Sequence, residues 1–153
     1  MIPSRSLAME KVAPPAAAEG LPTEPALRRI RIPFFQRGTV AFGGVREHLF
    51  VIDLGLRGVF IERPQPLAPG QEIELWFPLP GNEIPVRARC RVAWWRSAEA
   101  AARSRTTAGI GVEFVEISDG DVERVRQHLL EYLQRHPRHR RFLRHPEEAE
   151  EEA

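Results

Sequence analysis

Apolar residues recur at every second position through the middle of the chain. Between Gln71 and Leu79, Ile73, Leu75, Phe77 and Leu79 share one face, opposite Glu72, Glu74 and Trp76. From Pro85 onward, Val86, Ala88, Cys90, Val92 and Trp94 alternate with Arg87, Arg89 and Arg91. A strand turns successive side chains to opposite sides, so this period marks half-buried antiparallel strands. Further strands are predicted around Thr39–Phe42, over Glu47–Leu54, over Gly58–Glu62 and over Gly109–Ile117. The last carries Ile110, Val112 and Phe114 on its apolar face. Each strand has one apolar face, so the faces must close on one another as a barrel or sandwich.

The connections fit that reading. Gly43-Gly44 marks a tight turn, Gly55 a break, and Pro78–Pro85 a hairpin loop. The Ala-rich stretch Arg96–Ala108 is long for a hairpin and has room for a short helical turn. After Ile117 the period changes. Ser118 and Asp121 make a capping-box-like start, and Val122, Val125, Leu129 and Leu133 fall on one helical face. Pro137 stops the helix. Its stripe is expected to dock on the barrel and close an open end.

The ends have no such pattern. Residues 1–26 are rich in Pro, Ala and Glu and read as a disordered leader. Residues 27–136 hold the barrel and its C-terminal helix, and residues 137–153 form a charged tail, basic then acidic. The fold expected is therefore all-β: a small antiparallel barrel or sandwich with a C-terminal α-helix and disordered tails.

Composition narrows the function. Net charge is +1 over 153 residues, so the chain as a whole is neither strongly acidic nor a general nucleic-acid binder. A single cysteine, Cys90, rules out an internal disulfide and a cysteine-based zinc site. No apolar run approaches the roughly 18 residues that span a membrane. No signal peptide is read at the N-terminus, and the expected location is cytoplasmic.

Three segments carry a family resemblance: the Arg-rich LRRIRIPF from Leu27, the run DLGLRGVFIE from Asp53, and the distal pattern PLAPGQEIELWFPLPG, VRARCRVAWW and GIGVEFVEIS with its following helix. From about Leu27 to Leu133 the chain resembles the PilZ domain, a six-stranded antiparallel barrel that binds the bacterial messenger cyclic di-GMP. The distal pattern is similar to that of stand-alone PilZ proteins of the myxobacterial type.

The resemblance implies where a ligand sits. The family uses an Arg-x-x-x-Arg motif ahead of the barrel and an Asp/Asn-x-Ser-x-x-Gly motif on it. The second maps onto Asp53, Gly55 and Gly58, with Gly55 where the family has serine. The first does not map cleanly. Arg28 and Arg31 are one residue too close, and the residues four beyond Arg28 and Arg29 are Ile32 and Pro33. The implied ligand set is Arg28, Arg29, Arg31, Asp53, Gly55 and Gly58. Guanidinium forks suit phosphate oxygens and the O6/N7 edge of guanine, and Asp53 can accept from the guanine N1–H and N2–H2 edge. Gly55 and Gly58 are read as giving a positive-φ turn and a close approach. In this picture the arginines ride a mobile arm that closes over the ligand, and the new surface is read by a protein partner. The alternatives are a solvated charge run and an ordinary Asp-Gly turn.

Two functional classes follow. One is a cyclic di-GMP receptor that signals through ligand-dependent protein–protein interaction. The other is a degenerate adaptor that binds a protein partner without nucleotide, anchored by aromatics such as Trp76 and Trp95.

Other chemistry is not expected. Arg87, Arg89 and Arg91 form a stripe that Glu72 and Glu74 can neutralise across strands. No aromatic stripe marks a single-strand nucleic-acid surface. His136, His139 and His145 lack metal-ligand spacing. Cys90 is a packing residue, and Gly109-Ile110-Gly111 lacks the context of a dinucleotide loop. No catalytic constellation, metal or cofactor is read, so the chain is not expected to be an enzyme.

Overall fold

The computed structural model describes residues 22–137. The expected leader and charged tail, with His139, Phe142 and His145, fall largely or wholly outside these residues. The described order is α1 (Glu24–Leu27), β1 (Arg31–Phe42), β2 (Val45–Gly55), β3 (Gly58–Glu62), β4 (Glu72–Phe77), β5 (Val86–Arg96), α2 (Ala98–Ser104), β6 (Gly109–Ile117) and α3 (Asp119–Arg135). The six strands close into an antiparallel barrel in the order β1-β2-β3-β6-β5-β4, with β1 pairing β4 to complete the ring.

Alternation builds the wall as the sequence predicts. Ile73, Leu75 and Phe77 of β4 and Val86, Ala88, Cys90 and Val92 of β5 all point into the core. β1 and β2 are joined by a two-residue turn, with Phe42 opposite Val45 and both Gly43 and Gly44 at positive φ (54° and 79°). That backbone is the type-I′-like geometry that matches strand twist, and only glycine adopts it without strain at both positions.

The first strand is longer than Thr39–Phe42. It begins at Arg31, and Ile32 and Phe34 are buried in it. Two features hide this in the sequence. Pro33 interrupts the pattern at an exposed position, and the adjacent pair Phe34-Phe35 breaks alternation. The structure resolves the conflict with a bulge between Pro33 and Gln36, where Phe35 takes φ 52° and points to solvent.

The arginine-bearing segment is therefore not a mobile arm. Thr23 caps α1, and Leu27 and Ile30 are buried in the same cluster as the barrel interior. Burying two large aliphatic side chains contributes about 1.5–3 kcal/mol each, which an arm free to swing would forgo.

α3 starts where the sequence predicts. The Ser118 side chain accepts from the Asp121 N–H at 3.1 Å. Asp121 does not complete a reciprocal box. Its carboxylate instead accepts from the Arg87 N–H at 3.2 Å and from Arg124 at 2.8 Å, tying the helix to the start of β5. Val125, Leu129 and Leu133 are buried, while Val122 is only partly so. They join one cluster with Leu27, Phe34, Phe77 and Leu79. The helix docks as expected and ends at Arg135, with His136 as its cap.

Two of the three arginines of the β5 stripe, Arg87 and Arg89, are neutralised. Arg87 pairs with Glu74 at 3.1 Å, and Arg89 pairs with Glu72 at 2.9 Å and Glu116 at 3.2 Å. Glu116, and then Glu72, hold the Arg89 guanidinium still more firmly in its charged form. The two pairs with β4 run diagonally, since Arg89 stands opposite Glu74 and Arg87 opposite Trp76, whereas Arg89 and Glu116 are direct register partners.

Candidate functional site

Arg31 lies at the start of β1, with Gly55 of β2 as its register partner. Its side chain runs across the strand pair to Asp53, two residues earlier on β2. Asp53 Oδ1 accepts from Arg31 Nη2 at 2.6 Å and from Nε at 3.0 Å. Gly55 makes this path available. A Cβ built there would sit 3.0 Å from Arg31 Cδ and 3.0 Å from the Ile30 carbonyl oxygen. Serine at this position would press on the arginine as it now lies.

Neither Gly55 nor Gly58 has positive φ, which corrects the turn expectation. Their role is close approach. A Cβ on Gly58 would fall 1.9 Å from the Val112 carbonyl oxygen, so β3 and β6 could not pair as they do.

Two clefts meet on this wall. The first, of about 440 Å³, is lined by Arg28, Arg29, Arg31, Arg57, Gly58, Trp94 and Glu113 among others. The second, of about 460 Å³, is lined by Arg31, Asp53, Phe60, Trp94, Arg96 and Thr107 among others. Arg31 and Trp94 belong to both. All six residues singled out by the sequence lie on this wall: four line the first cleft, Asp53 lines the second, and Gly55 packs beneath Arg31. Arg28 also makes a long 3.9 Å contact with Glu24 while remaining well exposed.

Trp94, Arg57 and Glu113 are among the cleft residues that the sequence did not single out. Trp94 was expected on the inner face with Val92. A register shift between Val92 and Trp94 in the β5–β6 pairing turns it outward, and it is 42% exposed. Its indole lies across Gly111, where a Cβ would meet Nε1 at 2.1 Å. Phe60 stacks beside it at 5.1 Å, and the Arg96 guanidinium caps both rings. A signal was available, because two successive residues, Trp94 and Trp95, cannot both face inward on a regular strand. Arg57 sits between Gly55 and Gly58 and was in plain view. Glu113 was hidden by its plain role as an outward residue on β6.

The named aromatics divide. Trp76 is half-buried, with the guanidinium groups of Arg46 and Arg87 at 5.2 and 5.6 Å from its ring centre. Trp95 stays exposed. Cys90 is fully buried, and burial pushes its thiol pKa up to about 12, so it is an inert packing group.

The chain is a small closed barrel bearing an arginine-rich cleft on its wall. The PilZ domain matches residues 27–135, and the chain belongs to the PilZ domain family, whose domains are non-catalytic receptors for cyclic di-GMP. No curated protein matches the chain. Among solved structures, the Bacillus subtilis inhibitor of motility MotI/DgrA is similar, with TM-score 0.58 at 14% identity over 70% of this chain and 50% of that one. The Borreliella burgdorferi PlzA protein in complex with c-di-GMP has TM-score 0.42 at 13% identity over 71% of this chain and 38% of that one. The chain thus spans half or less of the length of these two proteins. The first likeness bears on the fold alone. Among the described residues, no helix is long and apolar enough to cross a membrane.

Proposed function

We propose that the chain is a cyclic di-GMP receptor that holds the messenger in the twin cleft and passes the signal on by binding a protein partner. One observation carries this reading. Arg31 and Asp53 are joined at 2.6 Å at the junction of two clefts that also gather Arg28, Arg29 and Arg57. Four guanidinium groups around one depression suit a ligand with two phosphates and two guanines. The Arg31–Asp53 pair is half exposed, so it contributes at most about 1 kcal/mol and can open to admit a ligand. Ligand phosphate would then take Arg31, and the freed carboxylate would take a guanine edge. The distal strand pattern favours a kinship with myxobacterial-type members of the family.

A second reading is favoured by Gly55. With glycine in place of serine, and Arg31 lying on Asp53, the site is closed by its own residues. On this reading the barrel is an adaptor that binds a protein without nucleotide.

Calorimetry separates the two. The receptor reading expects heat from cyclic di-GMP in the micromolar range and a loss of about tenfold or more in affinity in Arg31→Ala, Arg28→Ala and Asp53→Ala. No heat at high micromolar ligand removes the receptor and leaves the adaptor. Binding that ignores all three substitutions puts the pocket elsewhere.

A further inference from the structure

The first cleft is not uniformly cationic. Among its arginines stands one carboxylate, Glu113 of β6. Its register partner on β5 is Arg91 and on β3 is Gly58. The neighbouring outward arginines Arg87 and Arg89 both form ion pairs, yet among the described residues Glu113 has no ion-pair partner within 4.0 Å. Gly58 offers it no side chain. The carboxylate is left facing the cleft beside the Trp94 indole and Arg57, which likewise has no ion pair among the described residues. Phe60 stacks on the indole and Arg96 caps it, and both of these line the second cleft and not the first.

These three groups match one chemical object. An exposed indole is a stacking platform for a base. A carboxylate accepts hydrogen bonds and cannot donate them. Guanine presents two adjacent donors, N1–H and N2–H2, whereas adenine presents the N1 lone pair there. The opposite guanine edge carries the O6 and N7 acceptors that an arginine fork fits.

We propose that Trp94, Glu113 and Arg57 form a guanine-reading subsite in the first cleft; Trp94 and Glu113 lie outside the family's motifs, and Arg57 holds a variable position between Gly55 and Gly58. The assignment rests on the receptor reading above and deepens it. Trp94 supplies the stacking surface, Glu113 takes the donor edge, and Arg57 takes the acceptor edge or the adjoining phosphate. Asp53 lines the second cleft and not the first, so the base in the first cleft is selected by Glu113. The subsite discriminates guanine from adenine, because an adenine N1 lone pair would face the carboxylate.

Calorimetry with cyclic di-GMP and cyclic di-AMP on the full chain tests this. The wild-type protein is expected to prefer cyclic di-GMP by at least tenfold. Glu113→Gln, whose amide can also donate, should narrow that preference at least tenfold without lowering the melting temperature. Trp94→Ala should weaken cyclic di-GMP binding about tenfold to a hundredfold, and Trp94→Phe should restore most of it. An unchanged preference in Glu113→Gln, or an unchanged affinity in Trp94→Ala, overturns the subsite while leaving the receptor intact. No binding by the wild-type protein overturns the receptor reading, and the subsite with it.

Discussion

Arg31 reaches Asp53 diagonally, because the β1–β2 register sets Arg31 opposite Gly55 and Pro33 opposite Asp53. The 2.6 Å contact depends on the bare Cα of Gly55 beneath the arginine side chain. The residue that departs from the family motif thus leaves room for the entry-segment arginine to lie as it does.

Gly55→Ser is expected to lift Arg31 off Asp53 and to return a hydroxyl to the wall. One added hydrogen bond is worth about 0.5–1.5 kcal/mol, so cyclic di-GMP affinity should rise about two- to tenfold. Calorimetry on the variant checks this. A fall in affinity would mean that the present lie of Arg31 is the binding pose.

Gly58→Ala should be costly for a different reason. Its methyl group would meet the Val112 carbonyl at 1.9 Å, and backbone cannot move aside as a side chain can. The β3–β6 ladder has to part, at a cost of about 2 kcal/mol or more. Urea unfolding should show a lower midpoint. An unchanged midpoint would show that the strands separate freely there.

Leu129 is fully buried in the seam between α3 and the barrel. Leu129→Ala should cost about 2–5 kcal/mol, whereas Val122→Ala, on the partly exposed edge of the same stripe, should cost far less. Equal losses for the two would contradict the docking described.

His128 gives the fold an acid-sensitive edge. Burial lowers its pKa below the ordinary 6.5, with Glu131 opposing and Arg135 assisting, and its ring lies 5.6 Å from Phe34. The unfolded chain therefore takes up the proton first. Stability is whole above pH 6.5 and declines as pH falls from there toward the folded-state pKa. Thermal melts across that window should show the decline, and His128→Leu should flatten it. A slope that persists in the variant would assign it to other groups.

Cys90 acts at the other end of the scale. Its thiol is raised from 9.0 to about 12 by burial, so the folded state holds the proton more tightly than the unfolded chain. Stability is whole below pH 9.0 and is lost as pH rises toward 12. At pH 8 a thiol reagent should modify Cys90 only at the rate of unfolding, and rapid modification of native protein would refute the burial.

Periodicity makes much of this architecture legible in the chain itself. Ile73, Leu75 and Phe77 alternate without interruption, and Ser118 with the Val125–Leu129–Leu133 stripe announces α3. These are local regularities, repeating every two residues or every turn, so sequence spacing encodes them directly. Glu72 and Glu74 as partners of the arginine stripe were legible for the same reason, because neighbouring antiparallel strands bring outward residues together, whereas Glu116 on β6 was not read from the sequence.

What sequence spacing could not decide lies where the regularity breaks. Pro33 and the bulge at Phe35 hid the first two thirds of β1. The shift after Val92 turned Trp94 from core to cleft. The meeting of Arg57, Trp94 and Glu113 joins three strands or their edges, and it depends on how far each pair slips at its bulge. The chain by itself determined antiparallel strands closed on one another, as a barrel or sandwich, with a docked helix, since alternating apolar faces must leave water, and its family resemblance pointed to the barrel. Only the tertiary structure decided which side chains line the cleft, because a slip of one residue reverses the face of every side chain beyond it.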